Sequence, residues 1–511
     1  MALHCGAMER ATTESFRAAV RSHTESLANF IAASPTSYHA AAEVARQLSE
    51  AGFSCQEETA PWSGEPGGHF LVRGGAVMAW WIPSGPVAGF KIVGSHTDSP
   101  SFKLKPAGKS AHHGFEQVDV EIYGGPLLNS WLNRDLGLAG RVTDMDGGEH
   151  LVQTGPCMVI PQLAPHLDRS KELSLDPQRH LHPIFTRPRA SADVLEAGAV
   201  GSGLETGSDG DAGGSEAGAA GGFQAGPASG DECSCGECGC TSGQANLDAD
   251  FDLFETLAAG SDGAVQASEI GWHDVYAYCT EKPSVNGCFL AAGRQDNLVS
   301  VHASLLALLA FAEAVNADAE LEASIDYAPV MAAFDHEEVG SETTSGAAGP
   351  ILETTLRRIA GAAGKDADEY ERMLAASVCV SSDTGHSINP NYAEKYDPDD
   401  FPVAGGGPII KFNSQQRYAS DARSVTEVIR AAMDAGVPYQ NFVSNNSVPC
   451  GTTIGPITAT RLGISTVDIG IPLLSMHSAR ELSHVRDNYL LERLLEGVWL
   501  GQFADAEAES H

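Results

Sequence analysis

Between residues 96 and 477, seven acid and imidazole side chains each fall where an apolar run ends or a helix is about to begin. They are His96 and Asp98 in KIVGSHTDSP, Asp296 in GRQDNL, Glu337 and Glu338 in AAFDHEEVGSE, Asp383 in SSDTG, and His477 in LLSMHSARE. Nitrogen and carboxylate donors of this kind suit two borderline-soft ions such as zinc, with one carboxylate left over to act as a base. That chemistry points to hydrolysis.

His96 and Asp98 lie two apart, so at an extended strand end they point the same way. The imidazole can then ligate a metal while the carboxylate accepts its other ring proton; a solvent-facing turn is the plain alternative for a lone H-x-D. Glu337 and Glu338 are adjacent, which on a loop or helix start lets one hold an ion while the other takes a proton. The plain alternative is an exposed acidic pair. Asp296 precedes a strongly apolar helix, and its two oxygens are enough to bridge two ions about 3.5 Å apart. Asp383 ends another apolar strand and His477 follows LLSM; singly, each could be a cap, a core residue or a surface residue.

The elements that must position these groups follow an α/β rhythm. Residues 14–51 carry helical periodicity with a break at Pro35, and FKIVG at 90–94 reads as a buried strand delivering His96 and Asp98 at its carboxyl end, where ligands bind in open α/β sheets. After 250 come a helix at 298–315, strands at 327–335 and 377–383, a helix at 424–436 and a strand at 465–472. This predicts a helix-covered mixed β-sheet. Residues 101–188 differ: short alternating strands such as VDVEIYG and GRVTDM suggest an inserted β-rich domain. Residues 189–247 are a Gly/Ala/Ser and acid-rich tract that buries too little apolar surface to fold. The expected organisation is therefore a catalytic domain in two parts, 1–100 and 248–511, with the β-rich domain at 101–188 and a disordered insertion at 189–247.

Composition excludes partners better than it names them. The chain has 511 residues, with 67 acidic against 31 basic side chains and a formal charge of -36, which argues against nucleic acid or an anionic membrane surface. No leader-like apolar stretch is visible in MALHCGAMERATTESF, and runs such as YAPVMAAF fall far short of a bilayer span, so a cytoplasmic location is expected. Eleven cysteines, mostly isolated, fit a reducing compartment. Cys233, Cys235, Cys238 and Cys240 cluster in DECSCGECGC. They could hold a soft metal ion or form a redox pair, but C-x-C steps are tighter than ordinary structural zinc pairs, and a dispensable cluster is the simpler reading.

The motifs GSHTDSP, GRQDNL, FDHEEVGSE, SSDTGHSINPNY, IIKFNSQQRYAS, PCGTTIG and MHSARE, in this order, resemble those of the M18 family of metalloaminopeptidases, the aspartyl aminopeptidases. The resemblance covers essentially the whole chain except 189–247. It implies a dizinc aminopeptidase fold in which Asp296 bridges two zinc ions, His96 and Asp383 complete one site, and Glu338 and His477 complete the other. Glu337 would be the general base and Asp98 the carboxylate behind His96. Cobalt or manganese would suit the same nitrogen and oxygen shell. The resemblance further implies dimers built through the β-rich domain, tetrahedral dodecamers, and a histidine lent across the dimer interface to steady the oxyanion; in VIPQLAPHLDR this is His166.

Substrates would be peptides with a free N-terminus, and the resemblance implies a preference for acidic N-terminal residues, for which Lys411 in PIIKFN is a candidate charge partner, an ammonium facing a desolvated carboxylate. A surface lysine is the alternative there, and some relatives prefer neutral residues such as leucine. His336 stands where relatives usually carry asparagine, next to the base, where it could shift its titration. Two rival functions remain. A carboxypeptidase or deacylase would need a carboxylate clamp, for which Arg417 or Arg134 could be mistaken. A non-catalytic metal-binding protein would lack the base or a bridging ligand.

Overall fold

Strand Gly89–His96 is buried along its entire length, as a strand in a parallel sheet covered on both faces must be. The computed structural model describes residues 2–170, 172–185 and 252–501, and the elements below belong to one compact unit, Met1–Thr186 with Leu253–His511. The expected insertion at 189–247, with its four clustered cysteines, lies outside the described residues.

Nine described strands form the main sheet, in the order Ser54–Cys55, Gly67–Arg73, Ala76–Ile82, Tyr327–Phe334, Gly89–His96, Val378–Ser382, Ser465–Gly470, Ile409–Phe412 and Gln440–Val443. Gly89–His96 runs parallel to Tyr327–Phe334 on one side and to Val378–Ser382 on the other. Val378–Ser382 is in turn parallel to Ser465–Gly470. Register aligns Phe334 with His96 and Ser381 with Gly94, so the carboxyl ends that precede Glu337 and Asp383 open beside His96.

Alternation along the strands supplies two cores. Val77, Ala79, Trp81, Val93, Met331 and Ala333 face one of them, and Met78, Trp80, Ile92, Val330 and Ala332 face the other, the period-2 division expected of a sheet covered by helices on both sides. The first core is roofed by the helices Ala2–Ala33 (from Leu27 on), Ser37–Glu50, Gln295–Ala317, Ala422–Asp434 and Val485–Leu500. The second is roofed by Ile351–Ala362, Ala367–Ala375 and Ile454–Leu462.

Helix Gln295–Ala317 corrects one expectation. It is long and apolar enough to cross a membrane, yet 72% of its most apolar window is buried within the protein. A helix apolar all round belongs in a core when neighbours enclose it, and here it packs against Val485–Leu500 and the main sheet.

The β-rich region is a barrel, and it draws on more of the chain than residues 101–188. Strands Ile270–Cys279, Ser101–His112, Phe115–Tyr123, Ile184–Phe185, Met158–Val159 and Leu136–Asp144 pair in series, and Ile270–Cys279 pairs again with Leu136–Asp144 to close the ring. Closure removes unpaired edges. The closing strand comes from the far side of the Gly-rich tract, beyond the expected boundary at 248, because both of its ladder partners lie before that tract.

A third, small sheet joins Ser284–Asn286, Phe289–Ala292, Glu481–His484, Pro472–Leu474 and Gly385–His386. Its strands are two to four residues long, too short for a periodicity signal. It nonetheless flanks Asp296, Asp383 and His477 in sequence.

Candidate metal centre

His96 ends a central strand and is 1% exposed. Its Nδ1 lies 3.0 Å from the carbonyl of Asp98. A carbonyl only accepts, so Nδ1–H donates and Nε2 is left facing inward. Asp296 Oδ1 and Asp383 Oδ1 each lie 3.6 Å from that Nε2. His477 approaches from the loop between Pro472–Leu474 and Glu481–His484, with a left-handed backbone (φ 64). Its Nδ1 donates to the carbonyl of Gly125 at 3.0 Å, and its Nε2 lies 3.3 Å from Asp296 Oδ2 and 3.4 Å from Glu338 Oε1. The two oxygens of Asp296 thus face two different imidazoles.

Ligand atoms of His96, Asp296 and Glu338 lie within 4.8 Å of one another. Asp296 Oδ1 and Glu338 Oε1 are buried and accept no hydrogen bond. Buried polar oxygens without partners are costly, and here they converge with two imidazole nitrogens. The donor set and its orphaned oxygens fit one or more divalent cations of the zinc type.

Charge crowding has measurable consequences. Burial, joined by repulsion from Asp383, Asp98 and Asp296 and opposed by His96, pushes Glu337 up to about 8. Glu338 is pushed well above the usual range by burial and by Asp296. Burial opposes a charge on His477, but the carboxylates of Asp296 and Glu338 outweigh it and raise the ring to about 10. Burial likewise opposes ionisation of Asp296, yet His477 and His96 hold it far below the usual range.

Glu337 and Glu338 occupy the first two positions of a 3-10 turn, Glu337–Val339. Asp98 aims their backbones: its Oδ1 accepts the Glu337 N–H at 3.0 Å and its Oδ2 the Glu338 N–H at 3.1 Å. The same Oδ2 accepts the hydroxyl of Tyr123 at 2.8 Å. The carboxylate of Asp98 stands 3.4 Å from His96 Nδ1, farther than its own carbonyl. Asp98 therefore organises the glutamate pair more directly than it orients the imidazole.

His336 also has a left-handed backbone (φ 65), a conformation histidine shares with asparagine more readily than most residues do. Its Nδ1 sits 3.1 Å from Thr343 Oγ1 and 3.3 Å from Ser345 Oγ, and it is not among the main groups that move Glu337. Lys411 is 1% exposed, which disposes of the surface reading; its Nζ donates to the carbonyl of Thr384 at 2.7 Å and lies 3.8 Å from Asp383 Oδ2. His166 sits in an exposed turn. Of the two arginines that could pass for a carboxylate clamp, Arg134 pairs with Glu281 at 2.9 Å and Arg417 is exposed.

Sequence reasoning missed three groups: Tyr123 at the end of a barrel strand, the Gly125 carbonyl, and Glu481. Glu481 is 1% exposed, and burial together with the charge of Asp296 pushes it up to about 8. The only signal available was its position in MHSARE, four residues after His477.

Comparison with known proteins bears on the same residues. A profile described as "Aminopeptidase I zinc metalloprotease (M18)" matches residues 30–197 and 253–499. A probable M18 family aminopeptidase 2 from Streptomyces avermitilis is 45% identical over 484 residues, spanning 93% of this chain and 97% of the relative. Among solved structures, the cryo-EM complex of Ape4 and Nbr1 aligns with a TM-score of 0.79 at 29% identity, covering 94% of this chain and 86% of that one. The mApe1 dodecamer of S. cerevisiae aligns with a TM-score of 0.71 at 25% identity, covering 93% and 97%.

Proposed function

Since this chain belongs to the M18 family and is a metalloaminopeptidase, we propose that it removes acidic residues from free peptide N-termini at a centre that takes two zinc ions. The observation that carries the two-ion reading is the division of Asp296, whose oxygens lie 3.6 Å from His96 and 3.3 Å from His477. His96 and Asp383 would hold one ion, Glu338 and His477 the other, with Asp296 between them. Such ions, when bound, supply Lewis acidity to the scissile carbonyl and to the attacking water.

The remaining work falls to the chain itself. Glu337 takes the proton from the water at its carboxylate and returns it to the leaving amine, a role suited to a group raised towards neutrality. Cations in the centre would draw its titration down again. Asp98 keeps the Glu337 and Glu338 backbones aimed, and Asp383 stands near the incoming amine. His166, exposed on its own chain, donates to the developing oxyanion in a neighbouring subunit.

Self-association into dimers and a dodecamer is part of the reading, since a similar protein has been solved as a dodecamer. Exposed apolar side chains in and beside the barrel support it: Phe115, Leu163, Leu167 and Trp272 are 56%, 58%, 77% and 56% exposed. For the acidic preference, the support is the buried ammonium of Lys411. A neutral preference has its own support, because Asp383 already stands 3.8 Å from that ammonium.

Hydrolysis of matched aspartyl, glutamyl, leucyl and lysyl reporters, with and without a chelator, tests the reading. Chelator-sensitive preference for the acidic pair is expected. Preference for leucyl would remove the role given to Lys411 while leaving the aminopeptidase, and chelator-resistant hydrolysis would remove the metal centre.

A further inference from the structure

Two backbone segments at the centre are irregular. Asp296 and Asn297 depart from helical angles at the very start of helix Gln295–Ala317, and His477 lies in the left-handed region (φ 64). A non-glycine residue in the left-handed region persists only where its surroundings over-determine it. The amide hydrogens of such segments also need acceptors away from water.

Both find one side chain. Glu481 Oε1 accepts the His477 N–H at 2.8 Å, and Oε2 accepts the Asp296 N–H at 3.1 Å. Glu481 is itself immobilised at the start of strand Glu481–His484, where its carbonyl accepts the side-chain amide of Gln295 at 2.8 Å. The arrangement repeats what Asp98 does for Glu337 and Glu338. Two buried carboxylates thus each accept two amides at the centre, Asp98 from adjacent residues of one turn and Glu481 from two separate segments.

We propose that Glu481 is the positioning residue that fixes Asp296 and His477 relative to each other, and thereby sets how tightly the centre holds its ions. The proposal rests on the reading that Asp296 and His477 are ligands. Glutamine in place of Glu481 keeps the shape but turns an NH2 group towards one of the two amide hydrogens. Aspartate keeps the charge but is one methylene too short to reach both. Supporting groups of this kind are typically worth about 10- to 100-fold in metal affinity.

Full-length Glu481→Gln and Glu481→Asp proteins are stripped of metal and titrated with zinc against a competing chelator, alongside parent, Asp296→Asn and His477→Ala. Circular dichroism and gel filtration check folding, and kcat and KM are measured at excess zinc. About tenfold or greater weakening of at least one ion is expected in both Glu481 variants, with kcat recovering as zinc is raised and KM near that of the parent. Affinities within twofold of parent in whichever Glu481 variants fold, while Asp296→Asn and His477→Ala lose an ion, would overturn the proposal alone. Full zinc retention by the two ligand variants would overturn the underlying reading instead.

Discussion

His96 and His477 offer the same imidazole to the same carboxylate, Asp296, but arrive by different routes. His96 ends a fully buried central strand, its ring is 2% exposed, and the carbonyl that orients it is two residues away. His477 sits on a loop between strands of the small sheet, its ring is 32% exposed, and its orienting carbonyl, Gly125, lies 352 residues distant. One imidazole is placed by the geometry of a strand end. The other is held by the barrel, through Gly125 and the Leu127 N–H that donates to the His477 carbonyl at 2.8 Å, and by Glu481. The lesson is that one centre can combine a rigid half and an assembled half, and only the second is at the mercy of distant segments.

Glu337 belongs to neither half, so its removal sets the scale. Glu337→Gln should lower kcat by about 10²- to 10⁴-fold, the usual worth of a general base, with metal content unchanged. Steady-state kinetics beside elemental analysis would check this, and loss of metal would make Glu337 a ligand.

The halves should then separate on mutation. His96→Ala leaves Asp98, Asp296 and Asp383 crowded without their shared imidazole, and losing one partner of a buried ion pair typically costs roughly 3–5 kcal/mol. His477→Ala, at a ring one-third exposed, should give up an ion with a much smaller fall in melting temperature. Calorimetry of the two variants in the metal-free state tests the ranking; equal destabilisation would erase the distinction drawn here.

pH gives a third handle on the metal-free protein. Glu337 and Glu481 are raised from 4.5 to about 8 and His477 from 6.5 to about 10. A group raised in the folded state contributes stability that is full below its unfolded value and lost as pH climbs through the folded one. Melting temperature without metal should therefore fall from about pH 4.5 to about pH 10, since over that range folding holds protons that the unfolded chain has released. Zinc should restore it. A flat profile in the metal-free protein would mean that these carboxyls and imidazoles do not crowd one another in solution.

The smallest effect concerns the barrel. Tyr123→Phe removes the hydroxyl that donates to Asp98, a bond worth about 1–3 kcal/mol because its acceptor is a buried carboxylate. It should reduce kcat/KM by about tenfold or less through the glutamate pair. A much larger fall would mean that the hydroxyl does more than support Asp98.

Among the candidate residues, those that follow central strands could be picked out because continuous apolar runs announce buried strands, and residues just past the carboxyl ends of such strands meet in an open α/β sheet. FKIVG, YAPVMAAF and SVCVSS carried that signal for His96, Glu337 and Asp383. Glu481 and Tyr123 carried no such run, since an acid at the start of a four-residue strand and a tyrosine ending a barrel strand look ordinary until their partners are known. The barrel's closing strand, Ile270–Cys279, was invisible for a related reason: pairing partners cannot be read across a long intervening tract.

By itself the sequence determined which strands are buried and which residues stand at their ends, because burial on both faces demands apolar runs and strand direction decides where they stop. It also bounded the chemistry, since acids and imidazoles in that set suit few ions besides zinc and its neighbours. Tertiary structure alone decided which oxygen of Asp296 faces which imidazole, which amides Asp98 and Glu481 join, and that a barrel carbonyl orients His477. Most of those are contacts between segments far apart in the chain, and hydrogen-bond geometry leaves no periodic trace along it.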